Sequence, residues 1–145
     1  MSQAPFHTPL IPPPFLTHLG GRIDEQEDSI EVSLELKPEH CNSRKVAHGG
    51  VLMTLLDVCM ARAARAKRRR DGQDDHGAST IEMKTSFMHP GLGPVLVARG
   101  ICLQRTATMA FCEGEIRDPA GHIVARASGT FKFVNPRTRV TGNDA

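Results

Sequence analysis

The chain has 145 residues, 39% of them hydrophobic, and a formal net charge of +2. That size fits one domain with one core, and so small a charge does not by itself call for a nucleic-acid partner. There is no run of about eighteen apolar residues and no basic N-terminal stretch leading into an apolar one. Neither a membrane span nor a secretory signal is therefore expected, and the cytoplasm is the default compartment. The four cysteines, Cys41, Cys59, Cys102 and Cys112, stand far apart without C-x-x-C spacing and read as reduced core residues.

Five prolines within residues 1–14 fix φ and remove donors, so this stretch reads as an extended arm ahead of a domain spanning 15–136, with 137–145 as a tail. Phe15 to Leu19 suits a brief helix stopped by Gly20 and Gly21. Ile30, Val32, Leu34 and Leu36 alternate with polar residues, the pattern of a strand with one wet face. The period then changes. Leu52, Leu55, Leu56, Cys59 and Ala63 form one apolar stripe on a helix from about Gly49 to about Lys67. Beyond the Gly72–Gly77 loop the period returns to two, with Ile81, Met83 and Phe87 marking one strand. Val95, Val97, Ile101 and Leu103 mark the next, after a Pro90-Gly91 turn. Thr108–Arg117 and His122–Val134 read as a hairpin around Asp118-Pro119-Ala120-Gly121. The expected class is α+β, an antiparallel sheet packed on one long helix.

That helix is unusual on its second face. An α-helix advances about 100° per residue, which puts Asp57 roughly 140° from the centre of the stripe. Its neighbours there are Met53, Thr54, Met60, Ala61 and Ala64, all small or uncharged. A helix apolar nearly all round needs cover on both sides, and a second copy of the chain is the simplest supplier. A dimer, or a dimer of dimers forming a homotetramer, is expected. An uncompensated carboxylate in such an interface costs several kcal/mol unless it gains partners. The plain structural reading pairs Asp57 with Arg62 or with a backbone group of the partner.

Upstream residues favour a chemical reading. Asn42 stands six positions before His48, Gly49-Gly50 follow, and Asp57 lies nine positions after His48. This Asn-x5-His-Gly-Gly-x6-Asp pattern resembles the PaaI-type acyl-CoA thioesterases of the hotdog fold. The resemblance runs from Pro14-Phe15-Leu16 to Gly129-Thr130-Phe131. It implies a helix wrapped by a curled antiparallel sheet, with sites at the subunit interface. It also implies Asp57 as general base or nucleophile, Asn42 holding the carbonyl or a water, His48 orienting the turn, and Thr80 positioning the water, with Ser79 adjacent. Paired glycines at a helix start independently allow close backbone approach, and free N–H groups there can donate to a carbonyl oxygen gaining charge. Gly49 is the candidate donor and Gly50 its neighbour on the substrate. The bland alternatives are a glycine turn entering a helix and an ordinary turn asparagine.

Met53, Met60, Met83 and Phe87 would line the acyl pocket if they face the interface, although core filling explains them equally well. Arg105 is the candidate for the carrier's phosphates. The Arg65–Arg70 run reads first as a solvated helix end. No cofactor is expected beyond the coenzyme A thioester as substrate, and the scattered histidines show no metal-ligand spacing. The rival functional class is a non-catalytic acyl-CoA binding or sensor module on the same fold.

Overall fold

The computed structural model describes residues 7–137. In chain order the elements are β1 (His7–Leu10), α1 (Pro14–Leu19), β2 (Arg22–Gln26), β3 (Ile30–Glu35), α2 (Gly49–Arg70), β4 (Gly77–Phe87), β5 (Val95–Arg105), β6 (Met109–Arg117) and β7 (Ile123–Val134). The strands form one seven-stranded sheet in the order β1-β2-β3-β5-β6-β7-β4, and every pair is antiparallel. The helix α2 packs on its inner face. This is the hotdog fold, with β4, the first strand after the helix, placed at the end of the sheet beside β7.

The expected apolar stripe is the buried face of α2: Leu52, Leu55, Leu56, Cys59 and Ala63 are all in the core. The strands answer it by alternation. Ile30, Val32 and Leu34 of β3, Leu96 and Ala98 of β5, Ala110 and Ile116 of β6, and Ala127, Phe131 and Phe133 of β7 point inward. Where the helix crosses the middle of the sheet the inward positions are glycines. Gly100 and Gly114 are register partners across β5 and β6, and Gly129 faces Cys112 across β6 and β7. A Cβ at Gly100 would lie 2.6 Å from the carbonyl carbon and oxygen of Cys59, so the helix backbone touches the sheet backbone there. Gly114 and Gly129 make room for the Met60 side chain, each leaving 3.2 Å between it and a built Cβ.

Several expectations need correction. Met60 is fully buried under these glycines and belongs to the core, not to a substrate pocket. Ala64 is buried as well, so the second face of α2 is narrower than the 100° projection suggests. Of the cysteines only Cys59 and Cys112 are buried, while Cys41 and Cys102 are partly exposed; all four are free. The arm contributes a strand, since β1 pairs with β2 from His7↔Gln26 to Leu10↔Ile23.

The helix also runs one turn further than expected, to Arg70, and its basic end is tied down, not merely solvated. Arg68 is buried, donates to the carbonyls of Asp74 and Ala107, and lies 5.1 Å from the centre of the Phe133 ring. Arg65 pairs with Asp75 at 3.0 Å, Arg69 with Glu25 at 2.8 Å and Lys67 with Asp71 at 2.9 Å. Cations at this end also complement the helix dipole.

The backbone contact at Gly100 makes a specific stability prediction. Gly100→Ala should destabilise the protein by about 1–3 kcal/mol or more, because a main-chain neighbour cannot rotate away. Urea unfolding followed by circular dichroism would show this as a lower midpoint, and an unchanged midpoint would contradict the close approach.

Candidate active site

The N-terminus of α2 is built by a tight loop. Asn42 N–H donates to the Val46 carbonyl at 2.9 Å, Lys45 N–H donates back to the Asn42 carbonyl at 2.9 Å, and Lys45 takes a positive φ of 61° to close the turn. The Asn42 Oδ1 accepts from Arg44 N–H at 2.9 Å, the side-chain turn that the bland reading foresaw. Its amide Nδ2 donates to no group among the described residues, so the same side chain can both close the turn and offer a hydrogen.

His48 is the N-cap of the helix, a role more often taken by Ser, Thr, Asp or Asn. Its Nδ1 accepts from the Gly50 N–H at 2.9 Å, while Val51 and Leu52 N–H reach the His48 carbonyl at 2.9 and 3.1 Å. Three of the first four amides of α2 are thereby used. The fourth, the Gly49 N–H, has no acceptor among the described residues. Gly50, by contrast, spends its amide on the cap and offers none to a ligand. With Nδ1 accepting, the cap places the imidazole hydrogen on Nε2.

A residue that the sequence did not single out holds this loop in place. His40 is buried, accepts from Lys37 N–H at 3.0 Å through Nδ1, and its Nε2 lies 2.8 Å from the Leu19 carbonyl. Its own carbonyl accepts from His48 N–H at 2.9 Å. No spacing signal marks such a histidine; only the fold reveals it.

Asn42 and Gly49 line one cavity of about 460 Å³, together with Phe87, His89, Pro90 and Gly91. Asp57 lines a different one, of about 410 Å³, with Pro13, Phe15, Met53, Thr54, Val58 and Met83. The carboxylate does not take the bland route of pairing with Arg62, whose guanidinium donates instead to the Ile11 carbonyl at 2.9 Å. Its partner is Thr80, whose Oγ1 donates to Asp57 Oδ1 at 2.6 Å. Oδ2 has no hydrogen-bond partner among the described residues.

The Thr80 contact depends on an irregularity in β4. Thr80 faces Phe131 and Met83 faces Gly129 across β7, both inward positions, although they are three positions apart. Strict alternation would forbid this. The register shifts between Thr80 and Glu82, a bulge that inserts Ile81 as an extra residue. Ile81, expected with Met83 and Phe87 to mark this strand, is the extra residue and is 55% exposed. The bulge is what lets one strand supply a hydroxyl to Asp57 and a thioether to the same cleft. Arg105 lies elsewhere: its Nε bonds Asp71 Oδ2 at 2.6 Å near the far end of α2, and it lines neither cleft. In this chain its guanidinium is engaged with Asp71, apart from both clefts.

Residues 45–125, more than half of the chain, match the thioesterase superfamily, and the chain belongs to that family. Within it the protein is a PaaI-like hotdog thioesterase in fold. A protein of Archaeoglobus fulgidus provisionally named an esterase is 31% identical over 124 residues, covering 81% of this chain and 73% of the relative. Among solved structures, the BH2602 protein of Bacillus halodurans, determined with CoA, is 29% identical with a TM-score of 0.65, covering 72% of this chain and 66% of that one. The PaaI protein of the E. coli phenylacetic acid degradation operon superposes with a TM-score of 0.74 at 20% identity, covering 83% and 84% of the two chains. Among the described residues no helix is long and apolar enough to cross a membrane.

The Thr80 hydroxyl gives the site a direct test. Thr80→Val should lower turnover by about tenfold to a hundredfold, the effect of losing a hydrogen bond to a charged group, whereas Thr80→Ser should retain most of it. Equal rates for the Val and Ser variants would show that the contact does not orient the carboxylate.

Proposed function

We propose that the protein hydrolyses the thioester of an acyl- or aryl-acyl-CoA to the free acid and CoA. The observation that carries this reading is a Thr80-anchored carboxylate on the same helix whose first amide, the Gly49 N–H, has no acceptor of its own. Asp57 either takes a proton from water as it attacks the thioester carbon, or attacks that carbon itself; in the second case water then hydrolyses the acyl-enzyme. The carbonyl oxygen gains negative charge in both routes, and the Gly49 N–H and Asn42 Nδ2 are the donors placed to stabilise it. Collapse of the tetrahedral intermediate expels the CoA thiolate. The CoA held by the Bacillus halodurans relative supports this choice of carrier.

One chain cannot assemble these parts on one carbonyl. Gly49 and Asp57 are eight positions apart, roughly 12 Å along the helix axis, and the two line separate cavities. A second copy with its α2 antiparallel to the first would set the Gly49 of each opposite the Asp57 of the other. The two-fold axis would then cross near residue 53, midway between 49 and 57. Met53 is half-exposed at that point, as such a crossing requires. The terminal strand β4, eleven residues long with none buried, could pair with its counterpart and continue the sheet. The functional unit is then a dimer with two composite sites, alone or doubled into a tetramer. Met53 and Met83 would contact the acyl group from the Asp57 side, and Phe87 from the Gly49 side.

Thiol release from a panel of acyl-CoA thioesters is the decisive assay. Asp57→Asn should keep the fold and assembly while reducing turnover by about a hundredfold to ten-thousandfold. Binding of these thioesters without release by the unmodified protein would favour the sensor module instead.

The composite arrangement has its own signature. Gly49→Pro, which removes the donor N–H at a helix position that tolerates proline, and Asp57→Asn should each be inactive alone, but unfolding and refolding them together in equal amounts should restore about a quarter of the normal rate, since half of the dimers carry one intact site of two. No recovery from verified mixed dimers would mean that each chain works by itself.

A further inference from the structure

A second cluster of chemically capable side chains lies at the end of the sheet, away from the Asp57 carboxylate. The loop after β4 and the β6–β7 hairpin are stitched together there, with Met88 and His89 N–H both donating to the Val124 carbonyl, at 2.9 and 3.2 Å. Asp118 opens the hairpin turn, and its side chain is only 8% exposed. Its Oδ1 accepts the His122 backbone N–H at 2.9 Å, and its Oδ2 lies 2.9 Å from His122 Nδ1. His89 Nδ1 is 3.9 Å from the same Oδ2 and 3.0 Å from the Pro90 carbonyl. The two imidazoles stack, with centroids 4.2 Å apart and planes 10° from parallel. One ligand atom from each of His89, Asp118 and His122 can be chosen so that all lie within 4.8 Å of one another.

We propose that His89, Asp118 and His122 form a binding site for a divalent transition-metal ion of the zinc class. Two imidazole nitrogens and one carboxylate oxygen are the donors that such ions prefer, with a water completing a tetrahedron. A neutral imidazole is the form that ligates such ions. The two Nδ1 atoms lie 2.9 and 3.9 Å from Asp118 Oδ2, so an Nε2–H tautomer of each ring would leave both Nδ1 lone pairs free to converge on an ion beside that oxygen. Zinc bonds of about 2.0–2.1 Å in a tetrahedron need donor atoms roughly 3.3 Å apart. At its widest, up to 4.8 Å, the cluster is therefore about 1.5 Å too open, and parallel rings must turn toward each other to converge. His122 sits exposed on the hairpin and has room to turn.

The sequence hides this site because 29 positions separate His89 from Asp118, and only the pairing of loop and hairpin joins them. A bound ion would fasten the two connections to each other. Since His89 also lines the cavity shared by Asn42 and Gly49, the clip would stiffen one wall of that cavity. The proposal assigns it no part in the chemistry at Asp57 and stands whether or not the protein cleaves thioesters.

The test uses the full-length protein stripped with a chelator and dialysed, then titrated with zinc chloride in a calorimeter. One equivalent should bind per chain. The His89→Ala/His122→Ala double variant and, separately, Asp118→Asn should each weaken binding at least tenfold, while His76→Ala leaves it unchanged. Cobalt-loaded protein should show the visible d–d bands of a tetrahedral site, absent from the double variant. Zinc should raise the melting temperature of the unmodified protein and not that of the double variant, whose circular dichroism checks that it is folded. Absence of stoichiometric binding by the unmodified protein, or unchanged binding in the folded double variant, would overturn the proposal.

Discussion

The contact on which the rest of the structure depends is the meeting of two backbones, that of α2 at Cys59 and that of β5 at Gly100. No side chain intervenes. Helix and sheet therefore approach more closely than two layers of aliphatic side chains would allow, and the strip of glycines on β5, β6 and β7 fixes where the axis lies. Met60 then fills the space over Gly114 and Gly129. With the helix seated at its middle, its rotation is set as well: the face with Leu52, Leu56 and Cys59 must point to the sheet, so Asp57 must turn toward β4 and the start of α1.

This seating explains how a half-buried carboxylate is tolerated. Asp57 lies among Met53, Val58, Phe15 and Met83, surroundings that solvate an anion poorly, and the compensating donor comes from Thr80 across the cleft. At the other end of the active region the polar accounting is equally tight, since the His48 ring and carbonyl take three of the four opening amides of α2. The remaining amide and the anchored acid face different clefts of one chain. A rigid rod of 22 residues is a reliable way to hold two such groups at a fixed separation, provided a symmetric neighbour brings complementary halves together.

Much of this was legible in the sequence because it rests on periodicity. The stripe from Leu52 to Ala63, the alternation in β3 and the turn signals at Asp118–Gly121 each have a single cheap structural solution, and those elements occur where the spacing places them. Asn42, His48, Gly49 and Asp57 were legible through a motif, and Thr80 through its place after the helix. What escaped notice lacked any local pattern. Met60 looked available because an ideal helical projection ignores how deep a glycine-floored groove lets a side chain sink. The bulge at Ile81 has no local signature, because it is a register event between strands, invisible in either strand alone. Arg105 looked unengaged until Asp71, thirty-four positions earlier, appeared beside it. His40 and the His89–Asp118–His122 group were silent for the same reason, being joined by tertiary pairing.

The position of β4 has an evolutionary corollary. No residue of this strand is buried, yet it supplies Thr80 and Met83 on the acid's side of the helix and Phe87 beside the glycine turn. Under the proposed function, substitutions at Met83 or Phe87 would change the shape of a ligand's surroundings without opening a void beneath the helix. Ligand preference can drift along this outer strand while the glycine floor and the acid stay fixed, so diversification among such proteins need not trade against folding.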